Sequence, residues 1–444
     1  MKNQSKIQNP KSKIVIVGAG PAGAALAIRL AGRKFQVCLI EREKFPRHKL
    51  CGEFISPECL SHFRELGVLD SMLSAGGERI TQTVFYAPNG KNVAVPSEWF
   101  GASNGALSLS RAEMDFRLME RAREIGVRIL EETQAVGLLF EGENVCGARV
   151  KSKDGQTYEL AADLIIDATG RAQVLGKFAA RFKIQDSRFK IQDSRFRIQD
   201  SGFRIQDSRF KIQDSRFKVL SSESKVVRIQ NPKSKIQNRL VGFKTYLENV
   251  NLEKNRCEIY FFRGGYGGLS RVENNLANHC FLIKADIVKE FNGDAGKIVE
   301  EVIFKNKRAC ETLKNAVPVI DWLAVSVDGF GVKNLNPAKN LFSVGDSAAF
   351  IDPFTGSGML MALESAEILA DCIARECSAS EQIAENYRIL YRNKFQRRLR
   401  VCAFMRQAAF VPGFAGFAIS ALRLSGSARM ILARATRPEI SDFT

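Results

Sequence analysis

Three glycines near the start of the chain have the spacing that lets a backbone close on a phosphate. In "KIVIVGAGPAGAALAIRLAGRKFQVCLIERE", Gly18, Gly20 and Gly23 form G-x-G-x-x-G. The first permits a tight turn, the second lets a pyrophosphate approach the backbone, and the third lets helix and strand pack closely. A helix opening at Pro21 and Ala22 would present unpaired N–H groups to the phosphates. Glu41 stands where a carboxylate can accept hydrogen bonds from ribose hydroxyls. Such a turn binds nothing unless its flanks hold it. The β-branched run Ile14–Val17 reads as a buried parallel strand, an Ala-rich helix follows to about Ala31, and a second strand spans Gln36–Ile40. Together these predict a site for an ADP-containing dinucleotide and leave open which one.

Two later stretches narrow the chemistry. "LIIDATG" (Leu164–Gly170) is an apolar strand ending in a turn. "NLFSVGDSAAFIDPFTGSGMLMALESAEILADCIA" reads as a strand over Leu341–Val344, a strand end at Gly345 and Asp346, and a Gly356-Ser357-Gly358 loop that opens a helix to about Cys372. Asp346 has the chemistry to accept hydrogen bonds from a polyol chain. The helix start near Gly358 offers a positive dipole end to an anionic ring.

GAGPAG with Glu41, DATG and GDSAAFIDPFTGSG, in this order, resemble the FAD-dependent oxidoreductases of the p-hydroxybenzoate hydroxylase fold. That class includes aromatic hydroxylases, geranylgeranyl reductases and flavin halogenases. The resemblance covers nearly all of the chain outside 1–12 and about 181–238. It implies FAD, with Gly18, Gly20, Pro21, Ala22, Gly23, Glu41 and Arg42 around the ADP half and Gly170, Gly345 and Asp346 at the ribityl chain. It places the turn from Pro353 through Gly356 and Gly358 to Met359 against the isoalloxazine. "FPRHKLCGEF" resembles the segment beside the flavin in the geranylgeranyl reductase-like branch, which maps onto Arg47, Lys49, Cys51 and Gly52. The reductases usually carry Cys-Gly-Gly, whereas this chain has Cys-Gly-Glu. The resemblance also sets Arg111 near the flavin; plain helix amphipathicity explains Arg111, Asp115 and Leu118 equally well. Cys51, with Arg47 and Lys49 nearby, is either a thiol of lowered pKa or a packing residue. His48 reads as a surface residue with the capacity to act as a base. The W-x-W-x-I-P signature of halogenases is absent, the two tryptophans being Trp99 and Trp322.

The expected fold is α/β. A Rossmann-like FAD-binding domain of the glutathione-reductase type is built from 13–60, 105–180 and 335–375, and an inserted antiparallel substrate sheet from 61–104 and 239–334. A Pro-Asn-Gly turn in "RITQTVFYAPNGKNVAVP" marks one hairpin of that sheet. A repeat-like leader covers 1–12 and a C-terminal helical region 376–444. Between DATG and the sheet lies the heptapeptide R-F-K/R-I-Q-D-S, five times over in 181–238. "IQNPKSKI" occurs at 7–14 and again at 229–236, which points to expanded repeat DNA translated in frame. Lengthening a surface loop costs only about 0.6 kcal/mol per doubling, so this insertion reads as cargo.

The net charge of +18 suggests nucleic acid, but its distribution does not. Residues 181–239 carry +10 and the first 13 residues +4, leaving +4 for the remainder. The Asp in every heptapeptide also opposes phosphate binding, so no nucleic-acid partner is expected. Ten scattered cysteines without a C-x-x-C pair, three separated histidines and no signal-peptide pattern predict a cytoplasmic protein without a metal site. No second G-x-G-x-x-G follows, so NAD(P)H visits transiently or another protein donates electrons. "QAAFVPGFAGFAISAL" (Gln407–Leu422) is uncharged but interrupted by Pro and Gly. It predicts a cap over the substrate cavity, with peripheral membrane contact through 401–424 as the alternative.

Three readings of activity stay open. The first is a flavin monooxygenase acting on a hydrophobic small molecule through a C4a-hydroperoxyflavin. The second is a double-bond reductase on an isoprenoid or lipid. The third is a non-enzymatic or decayed FAD-binding protein. No catalytic residue is assigned.

Overall fold

The computed structural model describes residues 14–100, 105–182, 240–376, 380–410 and 413–436. The leader and nearly all of the heptapeptide insertion lie outside these residues.

Five parallel strands form the sheet that carries the dinucleotide turn. Their order is Leu341–Ser343, Leu164–Asp167, Ile14–Val17, Val37–Ile40, Arg128–Leu130. Every residue of Ile14–Val17 and Val37–Ile40 is buried, as expected of central parallel strands covered on both faces. Helix Pro21–Ala31 crosses the sheet between Arg111–Glu124 and Gly358–Glu376. Its inward face is almost all alanine, leucine and isoleucine, so neighbouring backbones come close. The core on this side also takes Cys59, Phe63, Leu66 and Met72, so the helices Pro57–Glu65 and Leu69–Leu73 pack with the dinucleotide sheet. On the other face sits a three-stranded antiparallel sheet over Thr133–Glu141, Asn144–Ser152 and Thr157–Ala161.

An eight-stranded sheet forms the second layer system. The strand Leu240–Glu248 pairs antiparallel with Ala277–Lys284, which pairs with Gly265–Arg271, which pairs with Arg256–Phe262. The Gln82–Tyr86 and Asn92–Pro96 hairpin joins the far edge, closed by the Pro-Asn-Gly turn read from the sequence. One pair departs from the antiparallel expectation: Arg256–Phe262 runs parallel to Gln82–Tyr86, because the two belong to distant parts of the chain and no hairpin constrains them. A helix over 174–182 precedes the insertion, and Phe182 stacks on Phe140 at 3.7 Å. The described residues of the C-terminal region form three helices, Ser380–Ala409, Phe414–Arg423 and Gly426–Ala435. Among the described residues no helix is long and apolar enough to cross a membrane.

Candidate functional site

The three glycines do different work. Gly18 has φ +105°, and a Cβ there would stand 2.4 Å from the carbonyl oxygen of Ala168. A Cβ on Gly23 would stand 1.9 Å from the carbonyl oxygen of Gly18. Both are demanded by the chain's own packing. Gly20 is not: its φ of −75° suits any residue, and among the described residues the one atom within 4 Å of its added Cβ is Nη2 of Arg111, at 3.7 Å. Its openness fits a group that the chain alone does not supply. Helix Pro21–Ala31 starts there with no side-chain cap and no acidic residue in its first turn. Unpaired N–H groups beside a guanidinium favour an anion.

A chain of ion pairs braces this turn. Glu41 is buried; its Oε2 accepts from the Ala19 amide at 3.1 Å and from Arg47 Nη2 at 3.2 Å, and its Oε1 from the Glu43 amide at 3.2 Å. A carboxylate accepts about four such bonds, which leaves room for a hydroxyl. Arg47 also donates to Asp115 Oδ2 at 2.7 Å. Asp115, fully buried, receives Nε and Nη2 of Arg111 at 2.8 and 2.7 Å. Burial opposes the Arg111 charge, but Asp115 and Cys51 beside it hold the guanidinium protonated beyond its ordinary range. Burial lowers Lys49 to about 8, helped by Arg47. Arg42 is not drawn in; its side chain is 60% exposed and pairs with Glu43.

Segments far apart in the chain converge on the same place. Gly345 has φ +57°, and a Cβ there would lie 2.8 Å from Cβ of Ala22. The turn bearing Asp346 is therefore pressed against the first turn of the dinucleotide helix. Among the described residues the Asp346 carboxylate has no hydrogen-bond or ion-pair partner, although burial pushes its pKa up to about 6 against the pull of Arg171 and Arg111. An acceptor held in that state fits the hydroxyls of a polyol chain. Gly170 (φ +72°) has nothing within 4 Å of an added Cβ, and its carbonyl receives Ser347 Oγ at 2.9 Å. The turn after it is locked by Asp167. That fully buried carboxylate accepts from the Thr169 amide and hydroxyl, Ser347 Oγ, and the amides of Leu175 and Gly176 at 2.6–3.0 Å.

Asp352 caps the Pro353–Thr355 turn through the Phe354 amide at 2.8 Å, and Gly356 follows at φ +62°. Helix Gly358–Glu376 then begins with no acidic residue in its first turn, and Met359 is half-buried against the core. The Tyr266 hydroxyl, from the second sheet, donates to Asp352 at 2.6 Å.

The junction of the two halves is polar and buried. Cys51 Sγ accepts the Glu53 amide at 3.4 Å, and its carbonyl accepts Asn278 Nδ2 at 3.1 Å. Gly52 is exposed and has nothing within 4 Å of an added Cβ. Glu53 and Lys244 are both fully buried and form an ion pair. Tyr246 donates to Glu53 Oε1 at 2.8 Å, and the Arg111 amide reaches the same oxygen at 2.8 Å. Glu53 Oε2 and Asn278 Oδ1 are buried without a hydrogen-bond partner among the described residues. Burial raises the Glu53 pKa despite Lys244. His48 is exposed, with its pKa lowered by partial burial and by Lys244. His279 is buried in the second sheet and held to about 4 by burial. His62 lies apart, with Arg29, Glu65 and Glu367.

The structure thus gathers Gly18, Gly20, Pro21, Ala22, Gly23, Glu41, Arg47, Arg111, Gly345 and Asp346, while Cys51 and Gly52 line the junction and Arg42 faces solvent. Sequence reasoning missed Asp115, Asp167, Glu53, Lys244 and Asn278 as site residues. Asp115 carried a signal, four residues after Arg111 on a helix. Lys244 and Asn278 carried none, since each lies opposite the apolar face of its strand and reads as a solvent-facing position.

Comparison with known proteins agrees with this geometry. Residues 11–200 match the FAD binding domain family. Digeranylgeranylglycerophospholipid reductase 1 of Methanococcoides burtonii is 23% identical over 89% of this chain and 83% of that protein. Digeranylgeranylglycerophospholipid reductase 2 of Methanopyrus kandleri is 24% identical over 86% and 82%. Squalene monooxygenase SE1 of Panax ginseng is 30% identical, over 35% of this chain and 29% of that protein. Among solved structures, the flavin-dependent brominase Bmp2 superposes with a TM-score of 0.70 at 17% identity, covering 95% of this chain and 93% of that one.

Proposed function

The chain is an FAD-dependent oxidoreductase of the p-hydroxybenzoate hydroxylase fold class, and from that premise we propose that it reduces carbon–carbon double bonds in an isoprenoid-type lipid. One observation carries the reading. The archaeal reductases align over 86–89% of the chain, a span that must run through the strands Leu240–Glu248 and Ala277–Lys284 as well as the cofactor domain. Similarity to squalene monooxygenase stops at 35% of the chain.

The residues at the junction suit this reading. Bound FAD would supply hydride equivalents. Gly20, the open helix start at Pro21 and Arg111 would hold its pyrophosphate, Glu41 its ribose and Asp346 its ribityl hydroxyls. Reducing an alkene needs a proton as well as a hydride. Glu53, paired through Oε1 with Lys244 and Tyr246 and raised in pKa by burial, is suited to take up and pass on that proton at Oε2, beside the Arg47–Gly52 segment. The electrons come from NAD(P)H or a donor protein.

The monooxygenase expectation and this one diverge at oxygen. Protein loaded with FAD, reduced with dithionite under argon and given a geranylgeranyl-chain lipid should yield products heavier by two hydrogens per double bond. Products carrying one added oxygen, formed only in air, would reverse the assignment. The same holds if the lipid is recovered unchanged under argon while FAD is fully bound.

A further inference from the structure

From Asn386 to Pro438 the chain carries eleven Lys and Arg and no Asp or Glu. The near-neutral charge outside the leader and insertion hides this run, because the rest of that portion is net negative. Some of these cations serve the fold. Arg398 is buried against Glu364 at 2.8 Å, Arg406 lies over the Phe330 ring, and Arg429 over Trp99. Others, including Arg392, Arg397, Arg400, Arg423 and Arg434, are exposed.

The same segment holds the four most exposed large apolar side chains among the described residues: Phe404 at 69%, Phe417 at 71%, Leu424 at 89% and Ile431 at 70%. Their spacing sorts them onto helix faces. Arg397, Arg400 and Phe404 follow at three and four residues along helix Ser380–Ala409. Phe417 and Ile431 lie on helices Phe414–Arg423 and Gly426–Ala435, and Leu424 ends the first of them.

We infer that this C-terminal surface docks on an anionic lipid bilayer, with the exposed arginines at the headgroups and Phe404, Phe417, Leu424 and Ile431 in the acyl boundary. Charge complementarity selects the occupant. A second copy would oppose one cationic surface to another. A nucleic acid would satisfy the arginines and leave Leu424 and Ile431 unused. The contact is in-plane, since no described helix can span the membrane. Docking also bears on the site. Arg406 Nε is 3.9 Å from Asp352 Oδ2, and Ser357 Oγ donates to the Thr436 carbonyl at 3.3 Å. The docking helices are thus tied at two points to the turn that opens helix Gly358–Glu376.

The test is flotation of the full-length, FAD-loaded protein with phosphatidylglycerol-containing vesicles and with pure phosphatidylcholine vesicles. Binding to the anionic vesicles is expected, weakened severalfold or more by about 0.5 M salt. R392Q/R400Q/R423Q should lower partition about a hundredfold, and F417S/L424S/I431S by a comparable factor. Visible FAD absorbance checks that each variant is folded. Equal binding to both vesicle types, or binding that survives both triple variants, overturns the inference. So does a wild-type protein that stays off vesicles, whether as a monomer or as a dimer broken by the apolar substitutions. Reduction of detergent-dispersed lipid, read on the same preparations, separates failure here from failure of the reductase reading.

Discussion

Replacing Gly20 by alanine should separate cofactor binding from folding. The added Cβ meets nothing closer than 3.7 Å, and φ −75°, ψ −176° is allowed for any residue. The apo-protein should therefore be unchanged or gain about 0.5 kcal/mol from a less flexible unfolded chain. FAD is different. The methyl group would occupy the space through which a pyrophosphate approaches the backbone. Losing one hydrogen bond to a charged oxygen costs about 1.5–3 kcal/mol, so FAD affinity should fall about tenfold to a hundredfold, and more for Gly20→Val. Gly23→Ala is the control. Its Cβ would overlap the Gly18 carbonyl oxygen at 1.9 Å, so it should destabilise the apo-protein by several kcal/mol before FAD is considered. Urea unfolding of the apo-proteins and FAD fluorescence titration give the two readouts. A Gly20→Ala protein that binds FAD as tightly as wild type refutes the reasoning. Equal destabilisation by the two substitutions refutes it too.

Asp346 carries a pH signature. Its raised pKa means that the folded apo-protein holds a proton the unfolded chain releases between about pH 4 and 6, so a stabilising contribution present below pH 4 is lost as pH rises through 6. Asp346→Asn should be more stable than wild type by about 3 kcal/mol at pH 8 and nearly equal to it near pH 4, while binding FAD about tenfold to a hundredfold more weakly; urea melts at the two pH values decide. Asp167→Ala strips a buried carboxylate from five donors and should cost about 3–5 kcal/mol in chemical denaturation. Glu53→Gln and Lys244→Met should each cost about 3–5 kcal/mol, because each strands the other charge. The double variant should recover at least about 2 kcal/mol, and strict additivity would show that the two groups do not act as a pair. Replacing 183–238 by a short Gly-Ser linker, with Phe182 kept for its stack on Phe140, should leave FAD content and thermal midpoint unchanged; loss of FAD would make the insertion structural.

Local steric and periodic rules made much of this protein legible from its sequence. Gly18 and Gly23 are glycine because a Cβ would strike backbone within a few residues or on the neighbouring strand. The strands on either side announce themselves by β-branched runs, and the Pro-Asn-Gly turn announces its hairpin. The order of GAGPAG, DATG and GDSAAF carries the resemblance to known flavoproteins that implies FAD. Sequence did not show that Gly345, beside Asp346, packs against Ala22, because that approach joins residues more than 300 positions apart across a parallel sheet. Nor did it reveal the Glu53–Lys244 pair. A lysine opposite the apolar face of its strand reads as a solvent-facing residue until a carboxylate from a distant loop is seen to pair with it in the interior. The basic C-terminal run was present in the sequence yet hidden in the net charge. Only the tertiary structure divided its arginines into those spent on Glu364, Phe330 and Trp99 and those facing outward. Chemistry that depends on one residue's own backbone is written locally. Chemistry that depends on which charges meet in a low-dielectric interior is decided only when the chain has closed.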